Sequence, residues 1–95
     1  MNNFYLGCDV SKGYADFVII NEDKQTSLDG FQLDDTSTGH QMLFDILSEF
    51  TDKHQDSTIY AAVESTGGYE NNWFNALLNL QNRINIFVAR VNPFG

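Results

Sequence analysis

The segment Leu6-Gly7-Cys8-Asp9-Val10-Ser11-Lys12-Gly13, read together with Ala62-Val63-Glu64-Ser65-Thr66-Gly67-Gly68-Tyr69, decides how this chain folds. Each is an apolar, strand-like run that ends on a single carboxylate, Asp9 or Glu64, and passes at once into Ser/Gly turn residues. A carboxylate that closes a buried strand is costly to desolvate without a partner, so two of them at equivalent positions suggest a shared divalent cation. The chemistry this pattern suits is metal-assisted phosphoryl transfer. The plain alternative is that Asp9 is an ordinary turn acid and Glu64 caps the helix that follows.

Working outward from the first segment, Phe4 to Val10 and Ala15 to Asn21 are β-rich runs joined by Ser11-Lys12-Gly13-Tyr14, a hairpin connection with a glycine available for positive φ. A third strand is expected over Thr26 to Leu33, with Gly30 marking a bulge. Capping residues between Asp35 and Thr38 precede Met42, Leu43, Ile46, Leu47 and Phe50, whose spacing is that of one helix face, so a helix should run to Lys53 or His54. Ser57 to Val63 reads as a fourth strand without strict alternation, which predicts burial on both faces. Tyr69, Trp73, Leu77 and Leu80 mark a second helix, and Ile84 to Val91 a fifth strand stopped by Asn92-Pro93. The first three strands then form an antiparallel meander, and the later two, reached through helices, lie parallel to the first. With the fourth strand beside the first, Asp9 and Glu64 occupy carboxyl ends on strands ~4.8 Å apart.

The bulk properties limit the partners. Ninety-five residues make one small domain, residues 1–95, with 42% hydrophobic content, no membrane-length apolar run and no signal-peptide pattern. The single cysteine, Cys8, lies inside an apolar run and fits a reducing, cytoplasmic location. A net charge of −8, from 13 acidic and 5 basic residues, argues against gripping a nucleic acid backbone unaided, because that affinity rests on Lys and Arg replacing counterions.

Gly7-Cys8-Asp9-Val10-Ser11-Lys12, Glu64-Ser65-Thr66-Gly67-Gly68-Tyr69 and Val91-Asn92-Pro93, in that order and spacing, resemble the N-terminal part of the DEDD-type insertion-sequence transposases, a family that includes the Piv-like DNA invertases. The resemblance implies a ribonuclease H-like fold related to the Holliday-junction resolvase RuvC: an α/β mixed five-stranded sheet in order 3-2-1-4-5, incomplete at the C-terminus. It also implies four acids that bind magnesium, or manganese, for DNA strand cleavage and transfer. Asp9 matches the first of these acids and Glu64 the second, as catalytic and metal-binding residues. The family's other two acids follow the Asn-Pro motif, so the expectation is an N-terminal fragment with a weak metal site and no nuclease activity of its own. A complete member would act on DNA as a homo-oligomer, with a guide or structured RNA.

Ser11 and Lys12 are candidates for orienting a phosphate but read first as turn residues, whereas Thr66 and Gly67, ahead of a helix, suit an anion site and a tight turn equally. His40 and His54 have no metal-ligand spacing and read as surface residues at the ends of the first helix. Trp73 with Tyr69 and Phe74 reads as packing in preference to a base-stacking platform, and Phe87 and Phe94 as apolar residues left exposed. Two other readings stay open. Asp9-Val10-Ser11-Lys12-Gly13 also resembles the phosphate-binding hairpin of actin-like ATPases and sugar kinases, and the length and charge suit a non-catalytic acidic interaction module.

Overall fold

A computed structural model of the chain describes residues 2–64 and 67–91. They form β1 (Asn2–Ser11), β2 (Tyr14–Asn21), β3 (Thr26–Asp34), α1 (Ser37–Lys53), β4 (Ser57–Glu64), α2 (Asn71–Leu80) and β5 (Ile86–Val91). The strands make one sheet in the order β3-β2-β1-β4-β5. The first three pair antiparallel, and β4 and β5 run parallel to β1, as the short turns and the helical crossovers require.

The β1–β2 hairpin closes through Lys12-Gly13, between the paired residues Ser11 and Tyr14, and Gly13 adopts φ +89°. Its carbonyl accepts from the N–H of Asp35 at 2.9 Å, which ties the turn to the start of α1. In β3 the apolar residues Leu28, Phe31 and Leu33 do not keep a period of two. Register breaks reconcile them: Phe17 pairs with Phe31 but Ile19 with Leu28, so Asp29 and Gly30 together oppose Val18. The extra residue returns Leu28 to the face that carries Phe31 and Leu33, and Gly30 sits in the bulge as expected.

Thr36 caps α1, its hydroxyl accepting from the N–H of Gly39 at 3.0 Å, and His54 closes the helix with its backbone N–H on the carbonyls of Phe50 and Thr51. Leu43, Leu47 and Phe50 are buried, whereas Met42 is exposed on the helix flank, outside the stripe to which its spacing assigned it. Both crossovers are made in the same direction along the sheet, so α1 and α2 lie on one face. The core fills the space beneath them: Phe4, Leu6, Cys8 and Val10 from β1, Phe17 and Ile19 from β2, Ile59, Ala61 and Val63 from β4, with Trp73 and Leu77 from α2.

This arrangement corrects the expectation for β4. From Ile59 onward its residues alternate, with Ile59, Ala61 and Val63 buried and Tyr60 and Ala62 exposed, so the strand is covered on one face only. The two histidines also differ from expectation. His40 is half-buried, with its ring edge-on to Trp73 at 4.7 Å and its Nε2 2.7 Å from Oδ1 of Asp35. His54 stacks on Phe50 at 4.2 Å and meets Phe4 edge-on at 5.0 Å. Among the described residues no helix is long and apolar enough to cross a membrane.

Burial, and then the negative charges of Asp9 and Asp16, push the Cys8 thiol from 9.0 up to about 12. Between those values the folded chain keeps a proton that the unfolded chain releases. Stability should therefore fall as pH rises from 9.0 toward about 12, by at most ~1.4 kcal/mol per pH unit from this group. Urea midpoints across that range should show the slope in the native chain and lose it in Cys8→Ala, and Cys8 should resist alkylation at neutral pH. Equal slopes in the two chains would count against this burial of the thiol.

Candidate metal and phosphoryl-transfer site

The register of β1 on β4 decides the relation between the two predicted acids. The pairs run from Asn2 with Ser57 to Cys8 with Val63 at a constant offset, and one further step brings Asp9 level with Glu64. Cys8 and Val63 point into the core beneath the helices, so by alternation Asp9 and Glu64 share the opposite, open face. Asp9 is exposed and Glu64 half-buried. The sheet therefore brings together the two acids at the carboxyl ends of adjacent parallel strands, the position at which α/β sheets bind ligands.

A third carboxylate went unnoticed in the sequence. Asp16 pairs directly with Asp9 across β1 and β2, is exposed on the same face, and accepts from the side-chain amide of Gln32 at 3.1 Å. Only the hairpin register reveals it, since the two positions are seven apart in sequence. Neither Asp9 nor Glu64 is in an ion pair among the described residues. Hard oxygen donors on neighbouring strands suit magnesium or manganese. Among the described residues no group of three or more acid, histidine or cysteine side chains converges to hold a metal ion, so the arrangement is a pair with Asp16 alongside.

Ser11 follows Asp9 by two residues on β1 and is half-buried, and Lys12 is exposed in the turn, with no ion pair among the described residues. Thr66, Ser65 and the Asn92-Pro93-Phe94 segment lie outside the described residues. Gly67 and Gly68 take φ +64° and +97°, conformations that a side chain disfavours, and this makes the strand-to-helix connection possible.

Glu70 is a second residue that sequence reasoning missed. It is buried before α2, where its Oε1 accepts from the N–H of Gly68 at 3.0 Å and its Oε2 lies 3.7 Å from Nε of Arg90. Arg90 also donates to Oδ1 of Asn71 at 3.0 Å and covers the ring of Phe74 at 4.4 Å. Since Arg90 pairs with Val63, this network clamps Gly68 and Glu70, ahead of α2, to the end of β5. An arginine alone in an apolar strand of an acidic chain was the available signal. Trp73 is fully buried, as its helical spacing predicted, while Tyr69 and Phe87 are exposed.

No family model and no curated protein matches the chain. Among solved structures it matches a foamy viral protease-reverse transcriptase dRH in complex with double-stranded DNA, with a TM-score of 0.57 and 12% identity over 95% of this chain. The chain spans 20% of the length of that viral chain. At such low identity the likeness shows the fold, which is ribonuclease H-like.

Proposed function

We propose that this chain supplies the first two metal-binding acids of a transposase or recombinase domain that cleaves and rejoins DNA strands. Asp9 and Glu64 would hold magnesium or manganese. The observation that carries this reading is the level placement of the two acids on one face, at the carboxyl ends of β1 and β4. The ribonuclease H-like fold and the DNA bound by the viral neighbour support it more coarsely. When bound, a divalent cation activates the attacking oxygen and stabilises charge developing on the phosphate. In this reading Asp9, at the middle of the acidic row, would contribute to holding the metal ions and Glu64 would hold one of them. The Glu70–Arg90 clamp, which holds Gly68 and Glu70 ahead of α2, would serve as a positioning device for this end of the site. With a net charge of −8 the chain should bind duplex DNA only weakly at physiological salt, and the basic surface is expected from other parts of such a machine.

The test is metal-dependent stability. Two acids held close together repel, and a cation that binds the native state preferentially relieves this. With a Kd on the order of 10 mM, 10 mM magnesium or manganese adds about 0.4 kcal/mol, or ~2–3 °C in Tm. Asp9→Asn should remove that response and leave the metal-free chain equally or more stable, and Asp52→Asn, at the exposed end of α1, should preserve it. An undiminished response in Asp9→Asn overturns the assignment. So does a loss of about 2 kcal/mol or more in the metal-free Asp9→Asn chain, which would mark Asp9 as a structural hydrogen-bonding residue.

A further inference from the structure

The face of the sheet turned away from the helices is organised in three rows that run across the strands. Ile20, Tyr5, Tyr60 and Phe87 are paired in register and form the first. Tyr5 stacks on Tyr60 at 5.8 Å and Tyr60 on Phe87 at 5.7 Å, although the three rings are 42%, 42% and 55% exposed. The second row, Val18, Gly7, Ala62 and Ala89, has little or no side chain at three of its four positions. The third contains Asp16 and Asp9, continued by Glu64 and Val91. The first two rows enclose a shallow trough of about 330 Å³, walled by Tyr5, Tyr60 and Ile20 and floored by Gly7, Ala62 and Ala89, and the acidic row lies beyond that floor, two residues further along the strands.

Its dimensions identify the occupant. The aromatic and acidic rows are four residues apart along each strand, or roughly 13 Å, and an α-helix with its side chains is about 10–12 Å across. Four strands span roughly 14 Å between the outer axes, the length of about ten helical residues. We propose that this trough receives an amphipathic α-helix from a basic partner polypeptide, laid across the strands. Its apolar stripe rests on Gly7, Ala62 and Ala89 and against the aromatic wall, and its Lys or Arg flank faces Asp16, Asp9 and Glu64.

Charge selects this partner over the others. Without a bound cation a nucleic acid would meet the acidic row with like charge, and a second copy of this chain brings another −8. A cationic helix gains from both walls, since stacked rings at 42–55% exposure offer apolar area and the acids offer direction. The inference does not rest on the metal reading: the helix needs the acids as charges and not as ligands, and it would compete with a bound cation for Asp9 and Glu64.

The experiment uses the full chain in EDTA, which removes metal binding as a variable. The probe is a synthetic helical peptide of about 18 residues with a Leu/Ala stripe, one Lys flank and Gln elsewhere, followed by the tyrosine, phenylalanine and backbone resonances. The expected result is a Kd of roughly 10–100 µM at low salt, with shifts confined to the open face of β2, β1, β4 and β5, and weakening of about fivefold or more at high salt. A peptide with Glu in place of Lys should bind about tenfold or more weakly. Tyr60→Ser, and separately the double variant Asp9→Asn with Asp16→Asn, should each weaken the Lys peptide by about fivefold or more, with circular dichroism confirming that both variants fold. Equal affinity for the Lys and Glu peptides overturns the proposal, as do shifts centred on α1 and α2 or no binding at millimolar peptide. A dimer seen by sedimentation, with its interface on this face, overturns it in favour of a second copy.

Discussion

Gly39→Ala is expected to remove about 3 kcal/mol or more of folding stability, out of the ~5–14 kcal/mol typical for a chain of this length. Helix propensity alone argues the opposite, since alanine in a helix interior is favoured over glycine by about 1 kcal/mol. Steric contact decides the matter. A Cβ at Gly39 would collide with the carbonyl oxygen of Asp34 and lie 2.9 Å from its carbonyl carbon. That carbonyl cannot move aside cheaply. Asp34 pairs with Tyr14 in the sheet, its oxygen accepts from the N–H of Thr36 at 2.9 Å, and the next residue is bonded to Gly13. Relief would require lifting the first turn of α1 off β3 and breaking the Thr36 cap on Gly39. Urea denaturation followed by circular dichroism reads the loss directly. Gly7→Ala serves as the control: its Cβ would meet only Cγ1 of Val18, at 3.6 Å, and the midpoint should hold within about 0.5 kcal/mol. A Gly39→Ala chain as stable as the parent would mean that α1 does not start against β3 in this way.

Trp73→Ala should have a comparable effect, about 3–5 kcal/mol, through loss of buried area and the cavity left behind. The indole is fully buried, edge-on to Phe17 at 5.2 Å and to His40 at 4.7 Å, so it is where α1, α2 and the sheet meet. Its Nε1 finds no protein hydrogen-bond partner among the described residues. Trp73→Phe removes that unpaired N–H along with part of the volume, so its loss should be well below that of alanine. Chemical denaturation of the three chains gives the order. Because the Glu70–Arg90 clamp sits at the start of α2, Trp73→Ala should also abolish any metal-induced rise in Tm. A loss under about 1 kcal/mol for Trp73→Ala would place the centre of the core elsewhere.

The sheet order and both helices were legible because their signals are local. Thr36 precedes a periodic apolar run, Gly13 sits in a two-residue turn, and Gly30 falls where the strand pattern slips. The two acids were legible as strand-end residues. That they share a face rests on the β1–β4 register, which joins residues 55 positions apart. Features that depend on distant partners were misread or missed. Nothing charged in Ile59-Tyr60-Ala61-Ala62-Val63 marks the exposed side, so β4 reads as buried throughout. His40 and His54 look like surface residues until Trp73, Phe4 and Phe50 come against them. Glu70 waits on Arg90, twenty positions later, and Asp16 on the hairpin register.

The two borders of the sheet are not equivalent as templates for adding another strand. β3 has extra residues beside Val18 and between Ile19 and Ile20, which break its hydrogen-bonding row and twist it, and it carries Asp29 and Asp34 along its length. β5 follows β4 without a break from Ile86 to Val91, and its only charge, on Arg90, is engaged by Glu70 and Asn71. Lateral growth of this sheet, whether by a partner's strand or by self-association into aggregates, is thus directed to one side. The bulge that brings Leu28 back into the core also closes the opposite border to such growth.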